Sequence, residues 1–292
     1  MPNLKALSLG GTPGAFVIGG GTNVRYETQT VRMVKGGSVA RPAAQKPQPG
    51  RHEVMLSFDT TGSMYTYLES VRSSLAGMID HLFATVPGIH VGVIAHGDYC
   101  DKDSSYVIKF LPLSRDKNKL LKFVKTVGRT NGGDAPECYE LALSKAAFSA
   151  GWHTSAITRA LVLVGDAPPH EPGYECNGYT NSIDWRKMLS ELAKRKVQVF
   201  SVQCGGSSSA APFYKTCAKS THGSHLHLRN DADGIDSLKD VISTVCLRHD
   251  KRALKAHVAA VRRRCSERTS AVLQQIIQTT VVTVTGSSSA WP

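Results

Sequence analysis

The chain has 292 residues, 41% of them hydrophobic, and a formal net charge of +12, which is material for one good core, or one core with appendages. It holds no run of the roughly 18 consecutive apolar residues that a spanning helix needs. No secretory apolar region forms between Met1 and Gly10-Gly11, so neither a membrane span nor a signal peptide is expected.

The seven cysteines, at 100, 138, 176, 204, 217, 246 and 265, contain no Cys-x-x-Cys pair, which argues against a zinc ribbon and a redox motif. Reduced thiols in a cytoplasmic protein are expected, with one incidental disulfide if the protein is exported by another route. The charge sits on the ends. Residues 1–50 carry six Lys/Arg against one Glu, residues 249–292 carry seven against two acids, and 51–248 holds 22 basic and 20 acidic residues. An electrostatic partner, nucleic acid or anionic membrane, would meet the termini first.

Residues 1–50 form a Gly/Pro-rich basic arm. Two β-prone runs, 15–18 and 24–34, flank Gly20-Gly21-Thr22-Asn23, which is hairpin material, and 40–50 reads as a semi-rigid linker. No Gly-Lys-Ser/Thr follows the glycines, so they are turn residues and not a phosphate cradle. From 51 to 248, strand candidates at 53–58, 89–96, 105–111, 160–165, 197–203 and 224–228 alternate with helix candidates. The helices are expected near 64–85, 115–127, 136–149, 183–196, 211–220 and 234–247. The strand runs are rich in Val, Ile and Leu with little alternation, as in strands covered on both faces. The fold class is therefore α/β, a doubly wound, Rossmann-like, mostly parallel sheet flanked by helices. Beyond 248, Leu254, Val258, Val261 and Cys265 step at helical spacing, with Lys251, Lys255, Arg262 and Arg263 off the stripe. Residues 279–285 are β-branched and could pair with the N-terminal hairpin.

In doubly wound sheets ligands bind at the carboxyl ends of the strands. Three loops reach that edge. Asp59-Thr60-Thr61-Gly62-Ser63 follows the first strand and offers oxygen donors at i, i+2 and i+4, with a glycine for the turn. That pattern suits a hard divalent cation, though Asp-Thr-Thr-Gly alone could equally be a turn and a helix cap. Asp134-Ala135-Pro136-Glu137 opens a helix, where acids also favour the dipole. Gly165-Asp166-Ala167-Pro168 ends a buried strand, where an Asp commonly caps a turn.

Together these residues resemble the von Willebrand factor A domain with its metal-ion-dependent adhesion site. The resemblance spans 51–248, with Thr61 where a Ser is commoner. Later segments (Val199 to Cys204, Phe213-Tyr214 and Gly223 to Leu228) are similar to the A domains associated with α-kinases and their bacterial relatives. It implies Asp59, Thr61 and Ser63 as first-loop ligands and Asp166 as the third-loop carboxylate. In the second loop many A domains use a Thr, for which Thr130 is the candidate. The Asp134–Glu137 segment is similar to integrin β subunits, where the Glu is the ligand, and Glu137 is favoured. Asp98, Asp101 and Asp103 follow the second strand and, with Asp134, could supply a lesser second cation site. The cation implied is Mg²⁺, with Ca²⁺ or Mn²⁺ able to substitute.

Other chemistries are weaker. His225 and His227 alternate on a short strand, and neither they nor His222 has an acid or thiol at ligand spacing. His96-Gly97-Asp98 and Asp166 with His170 suggest a metallophosphoesterase only faintly, and Ser63 has no activating base at a revealing spacing. The expected function is a non-enzymatic, metal-dependent protein–protein interaction or adhesion module that captures an acidic residue of a partner within a larger assembly. Terminal segments could support a homo-oligomer. The alternatives are a scaffold that binds nucleic acid or an anionic membrane through its basic ends and, last, a metal-dependent hydrolase.

Overall fold

The computed structural model describes residues 50–228, 240, 242–247 and 250–264. The expected N-terminal hairpin and linker and the β-prone tail lie outside them. The chain divides into two units after Pro47, and everything described belongs to the second.

Six strands form one sheet in the order β3-β2-β1-β4-β7-β8. β1 (His52–Asp59) is buried along its whole length and pairs in parallel with β2 (Ile89–His96) and β4 (Thr158–Gly165). β7 (Gln198–Cys204) and β8 (Ser224–Leu228) extend the parallel array. β3 (Ile108–Ser114) joins β2 antiparallel. It is an edge strand whose Pro112 and half-exposed pattern suit a position with one free side. The strand expected at 105–111 is thus shifted by three residues towards the C-terminus.

Successive side chains of β1 point to opposite faces. Val54, Leu56 and Phe58 enter one hydrophobic layer with α1 (Tyr65–Thr85) and α2 (Lys117–Thr126). Met55 enters the other, with α3 (Tyr139–Phe148), α4 (Trp185–Lys194) and α5 (Ala211–Ser220). Burial on both faces is why the strands lack polar alternation. Residues 242–247 are helical. A final helix, Lys251–Arg264, buries Leu254, His257 and Val261, and Leu254 and Val261 join the α1 layer. Asp250 caps that helix by accepting from the amides of Arg252 and Ala253, both at 3.0 Å. Among the described residues no helix is long and apolar enough to cross a membrane.

A small hairpin, β5 (Glu175–Cys176) and β6 (Tyr179–Thr180), lies in the connection after β4. Its turn residues Asn177 and Gly178 both have positive φ (48° and 75°), the requirement of a type I′ turn. β1 is flanked by β2 on one side and β4 on the other, so the chain changes winding direction there. The carboxyl ends of β1 and β4 therefore open a crevice at the topological switch point.

Candidate metal centre

Asp59 ends β1 fully buried. Its Oδ1 accepts from the Thr61 amide at 2.8 Å and the Thr61 hydroxyl at 2.7 Å, an Asx-type turn that curls the loop back over the strand end. Its Oδ2 accepts from the Tyr139 phenol at 2.6 Å. The loop then meets residues 130–131 through backbone bonds, Thr130 N to Thr60 O at 3.0 Å and Gly62 N to Asn131 O at 2.9 Å. A Cβ on Gly62 would stand 2.9 Å from that carbonyl, so this close approach requires the glycine.

Ser63 is the middle residue of the short 3₁₀ turn Gly62–Met64 that leads into α1. Its hydroxyl donates to Asp166 Oδ1 at 3.0 Å and lies 3.5 Å from the Thr61 hydroxyl. Asp166 follows β4, and its amide donates to the Tyr139 oxygen at 3.1 Å. Tyr139 thus ties the ends of β1 and β4 together through one buried oxygen. It stands against Gly165, where a Cβ would come within 1.8 Å of the phenol oxygen.

Glu137 is held by its backbone. Its amide donates to Pro168 O at 3.0 Å, and it forms a parallel bridge with Pro169. The next amide, of Cys138, donates to Gly97 O at 3.1 Å. Glu137 Oε1 lies against Gly132, where a Cβ would be 2.6 Å from it, and the same Cβ would be 3.3 Å from Thr61 Cβ. Glu137 Oε2 is buried with no hydrogen-bond partner. An orphaned carboxylate oxygen in a dry site is costly unless something else satisfies it.

Three carboxyl groups therefore converge, and among the described residues none is ion-paired to Lys, Arg or His. Burial, then the charges of Asp59 and Asp98, pushes Glu137 up to about 10. Burial, then Asp59, pushes Asp166 up to about 6. Asp59 is itself raised, chiefly by burial, against the hydrogen bonds of Tyr139 and Thr61. His96 packs edge-on to Tyr139 at 4.5 Å, and burial lowers it to about 3, so it brings no positive charge. Raised acids without a cationic side chain mark a site short of positive charge.

The oxygen spacings suit a small hard cation. The separations from Asp59 Oδ1 to Thr61 Oγ1, on to Ser63 Oγ, and on to Asp166 Oδ1 are 2.7, 3.5 and 3.0 Å. Adjacent oxygens of an octahedral magnesium shell, at 2.0–2.1 Å from the ion, stand about 2.9 Å apart. The donor set is all oxygen, which favours Mg²⁺, Ca²⁺ or Mn²⁺ over softer metals.

The structure brings Asp59, Thr61, Ser63, Glu137 and Asp166 together and directs the other candidates elsewhere. Thr130 is buried, but its hydroxyl lies 3.1 Å from the Thr60 hydroxyl and packs against Gly97. Asp134 is exposed and accepts from the Tyr174 phenol at 2.9 Å. Asp103 is exposed. Asp98 is buried and caps the 3₁₀ turn Tyr99–Asp101, its Oδ1 taking the Tyr99 amide at 2.6 Å and His170 Nε2 at 2.7 Å. Burial acts to raise Asp98, but the hydrogen bonds of His170 and Cys100 outweigh it and hold the acid below its usual range. Asp98, Cys138 and His170 place ligand-type atoms within 4.8 Å of one another, so the Asp98 partners are not those expected of it. Asp101 braces the second loop by accepting from the amides of Asn131 at 2.8 Å and Gly132 at 3.1 Å.

Sequence reading did not anticipate Tyr139. Its signal was a tyrosine at the first position of a helix that begins at the strand ends, where its ring reaches back under the loops. His227 bonds to the Gly205 carbonyl and His225 stacks on Tyr214.

Scanned against models of known protein families, the chain matches none. A curated protein of Acanthamoeba polyphaga mimivirus, named as an ariadne-like RING finger protein, is 25% identical over 197 residues. That match covers 63% of this chain and 19% of the viral protein, so the chain spans about a fifth of that relative. Among solved structures, the pilus adhesin SpaC of Lactobacillus rhamnosus GG, in its open conformation, superposes with a TM-score of 0.50 at 13% identity. It covers 68% of this chain and 30% of the adhesin. At that identity the likeness is one of fold alone.

Proposed function

We propose that this edge is a divalent-cation centre of the von Willebrand factor A kind, and that the protein is a binding module and not a catalyst. The observation that carries the reading is the convergence of the buried Asp59 and Glu137 with the half-buried Asp166, none of them with a basic partner, beside the hydroxyls of Thr61 and Ser63. A magnesium ion bound there would be held by these five residues and would supply an open coordination position for a carboxylate of a partner protein. The chain's own part is to hold the oxygens still: Tyr139 fixes Asp59 against the Asp166 backbone, and the Pro168 carbonyl fixes Glu137. Ser63 donates to Asp166 and so has a carboxylate, not a histidine, beside it, which supports capture over nucleophilic turnover. Titration calorimetry with Mn²⁺, followed by a glutamate-bearing peptide in the presence of metal or EDTA, tests the reading. Absence of Mn²⁺ binding would overturn it.

The second-loop ligand is separable. Glu137→Gln should weaken Mn²⁺ binding by at least about tenfold. Thr130→Val should leave it within about twofold while costing about 1 kcal/mol of stability through the lost bond to Thr60. The reverse pattern would make Thr130 the ligand.

The acids also set a pH dependence. A carboxyl raised in the folded state binds its proton more tightly there than in the unfolded chain. The stability cost is therefore absent below about pH 4, where both states are protonated, and grows as pH rises towards the folded values. With EDTA present, melting temperature should fall as pH rises from 5 to 8, through the Asp166 value of about 6 and towards the Glu137 value of about 10. Mn²⁺ should offset more of that loss at higher pH and should release about one proton at pH 7, read from calorimetry in buffers of different ionisation enthalpy. A flat profile would mean that the acids are charged and satisfied without metal.

A second reading, binding of nucleic acid or an anionic membrane, rests on the last helix, which exposes Lys251, Arg252, Lys255 and Arg263 opposite its buried stripe. It predicts binding that falls steeply with salt and ignores EDTA.

A further inference from the structure

Of the six cysteines among the described residues, Cys138, Cys204, Cys217 and Cys246 are buried, whereas Cys100 and Cys176 are half-exposed. These two lie 76 positions apart in sequence, yet their Sγ atoms are 2.6 Å from each other. Non-bonded carbon atoms rest at about 3.5–4.0 Å, and sulfur is larger, so this is too close for two thiols at rest. It is also too close for two thiolates on one zinc ion, which at about 2.3 Å each would stand about 3.8 Å apart in a tetrahedron.

Their positions give such a bond a purpose. Cys100 belongs to the turn Tyr99–Asp101 after β2, and Cys176 belongs to β5 of the small hairpin after β4. A two-stranded hairpin is marginal by itself, and its residues Glu175, Tyr179 and Thr180 are exposed. It leans on the turn through aromatic contacts, with the Tyr99 and Tyr179 rings 4.3 Å apart and Tyr174, just before β5, stacked on Tyr99 at 6.3 Å. The Tyr174 phenol lies 3.7 Å from Cys100 Sγ. The I′ turn at Asn177-Gly178 fixes the direction of the strand that carries Cys176.

We propose that Cys100 and Cys176 are an oxidisable pair whose disulfide fastens the β5–β6 hairpin to the turn after β2, beside the carboxylate site. With glutathione disulfide as oxidant, one cysteine thiolate attacks a glutathione sulfur and displaces a glutathione thiolate. The other cysteine thiolate then attacks the protein sulfur of that mixed disulfide and displaces the second glutathione. The protein loses two electrons and two protons, and both are recovered in two reduced glutathione molecules. The bond does not depend on a cation being held nearby.

The test uses the full chain, reduced or treated with glutathione disulfide, then alkylated with iodoacetamide and digested without reduction. The oxidised protein should yield one cross-linked peptide pair containing Cys100 and Cys176, about 2 Da lighter than the sum of the reduced peptides, and dithiothreitol should reverse it. Amide hydrogen exchange across residues 174–180 should slow at least about tenfold on oxidation and should not slow in Cys176→Ala. Alkylation of both cysteines after oxidation, or their capture by glutathione or by Cys265, would overturn the pairing. A cross-link without slower exchange would overturn its role as a fastener.

Discussion

Asp59→Asn should remove Mn²⁺ binding, weakening it by at least about 100-fold, while raising the melting temperature of the metal-free protein. The two effects share one cause. Asp59 is fully buried at the centre of the site, and its charge is among the influences that raise both Glu137 and Asp166. An amide of the same shape keeps an oxygen for the Thr61 amide and hydroxyl, but turns an N–H donor towards the Tyr139 oxygen in place of the bond that phenol donates. It also removes the charge that only a cation would offset, the larger of these effects. Burying an unpaired charge is among the larger penalties a core can carry, so removing it stabilises the metal-free fold. Thermal unfolding in EDTA and calorimetry with Mn²⁺ read the two effects separately. A variant that lost stability without metal and kept its Mn²⁺ affinity would show that Asp59 is only a loop-capping residue.

Tyr139→Phe should destabilise the protein by about 2–3 kcal/mol, although it removes one atom. That atom donates to Asp59 Oδ2 at 2.6 Å and accepts from the Asp166 amide at 3.1 Å. A hydrogen bond to a charged group contributes about 1.5–3 kcal/mol, and the substitution also leaves a buried donor and acceptor unpaired. Mn²⁺ affinity should fall too, since the phenol holds Asp59 in place and lowers its tendency to take a proton. Denaturant unfolding with and without metal measures both. A loss below about 0.5 kcal/mol, the size of an ordinary surface change, would mean that the two strand ends are held by something else.

Several features of the architecture were readable residue by residue. Runs such as Ala160 to Val164 are apolar without alternation because β4 is covered on both faces, and that pattern alone predicts a central parallel strand. The edge strand was misplaced for the converse reason. Ile108–Ser114 is half-exposed with Pro112 inside it, so its composition carries little period, and its limits come from antiparallel pairing with β2. The helix expected from 136 begins at Tyr139: Cys138 is its N-cap with a non-helical ψ of 44°, and Glu137 and Cys138 are tied by their amides to Pro168 and Gly97.

The same division runs through the site. The order of chemistry was written in the chain: an Asp, a Thr and a Ser after one strand, acids before a helix, an Asp after another strand. Strand ends at a switch point gather whatever their loops carry, so Asp59 and Asp166 could be brought together on paper. The resemblance favoured Glu137 over Thr130 without a contact to argue from. Packing supplies the contacts: it turns the Thr130 hydroxyl onto Thr60 and leaves Glu137 Oε2 buried and unpaired. No spacing rule could find Tyr139 beneath Asp59, Asp98 bonded to His170, or Cys100 against Cys176, since those contacts join segments 72 to 80 residues apart. The sequence by itself determined the α/β class and supplied the oxygen donors, because periodicity and residue type are local properties. Only the tertiary structure decided which donors converge and which are satisfied elsewhere, because hydrogen-bond partnership and desolvation depend on what the fold brings within about 3 Å.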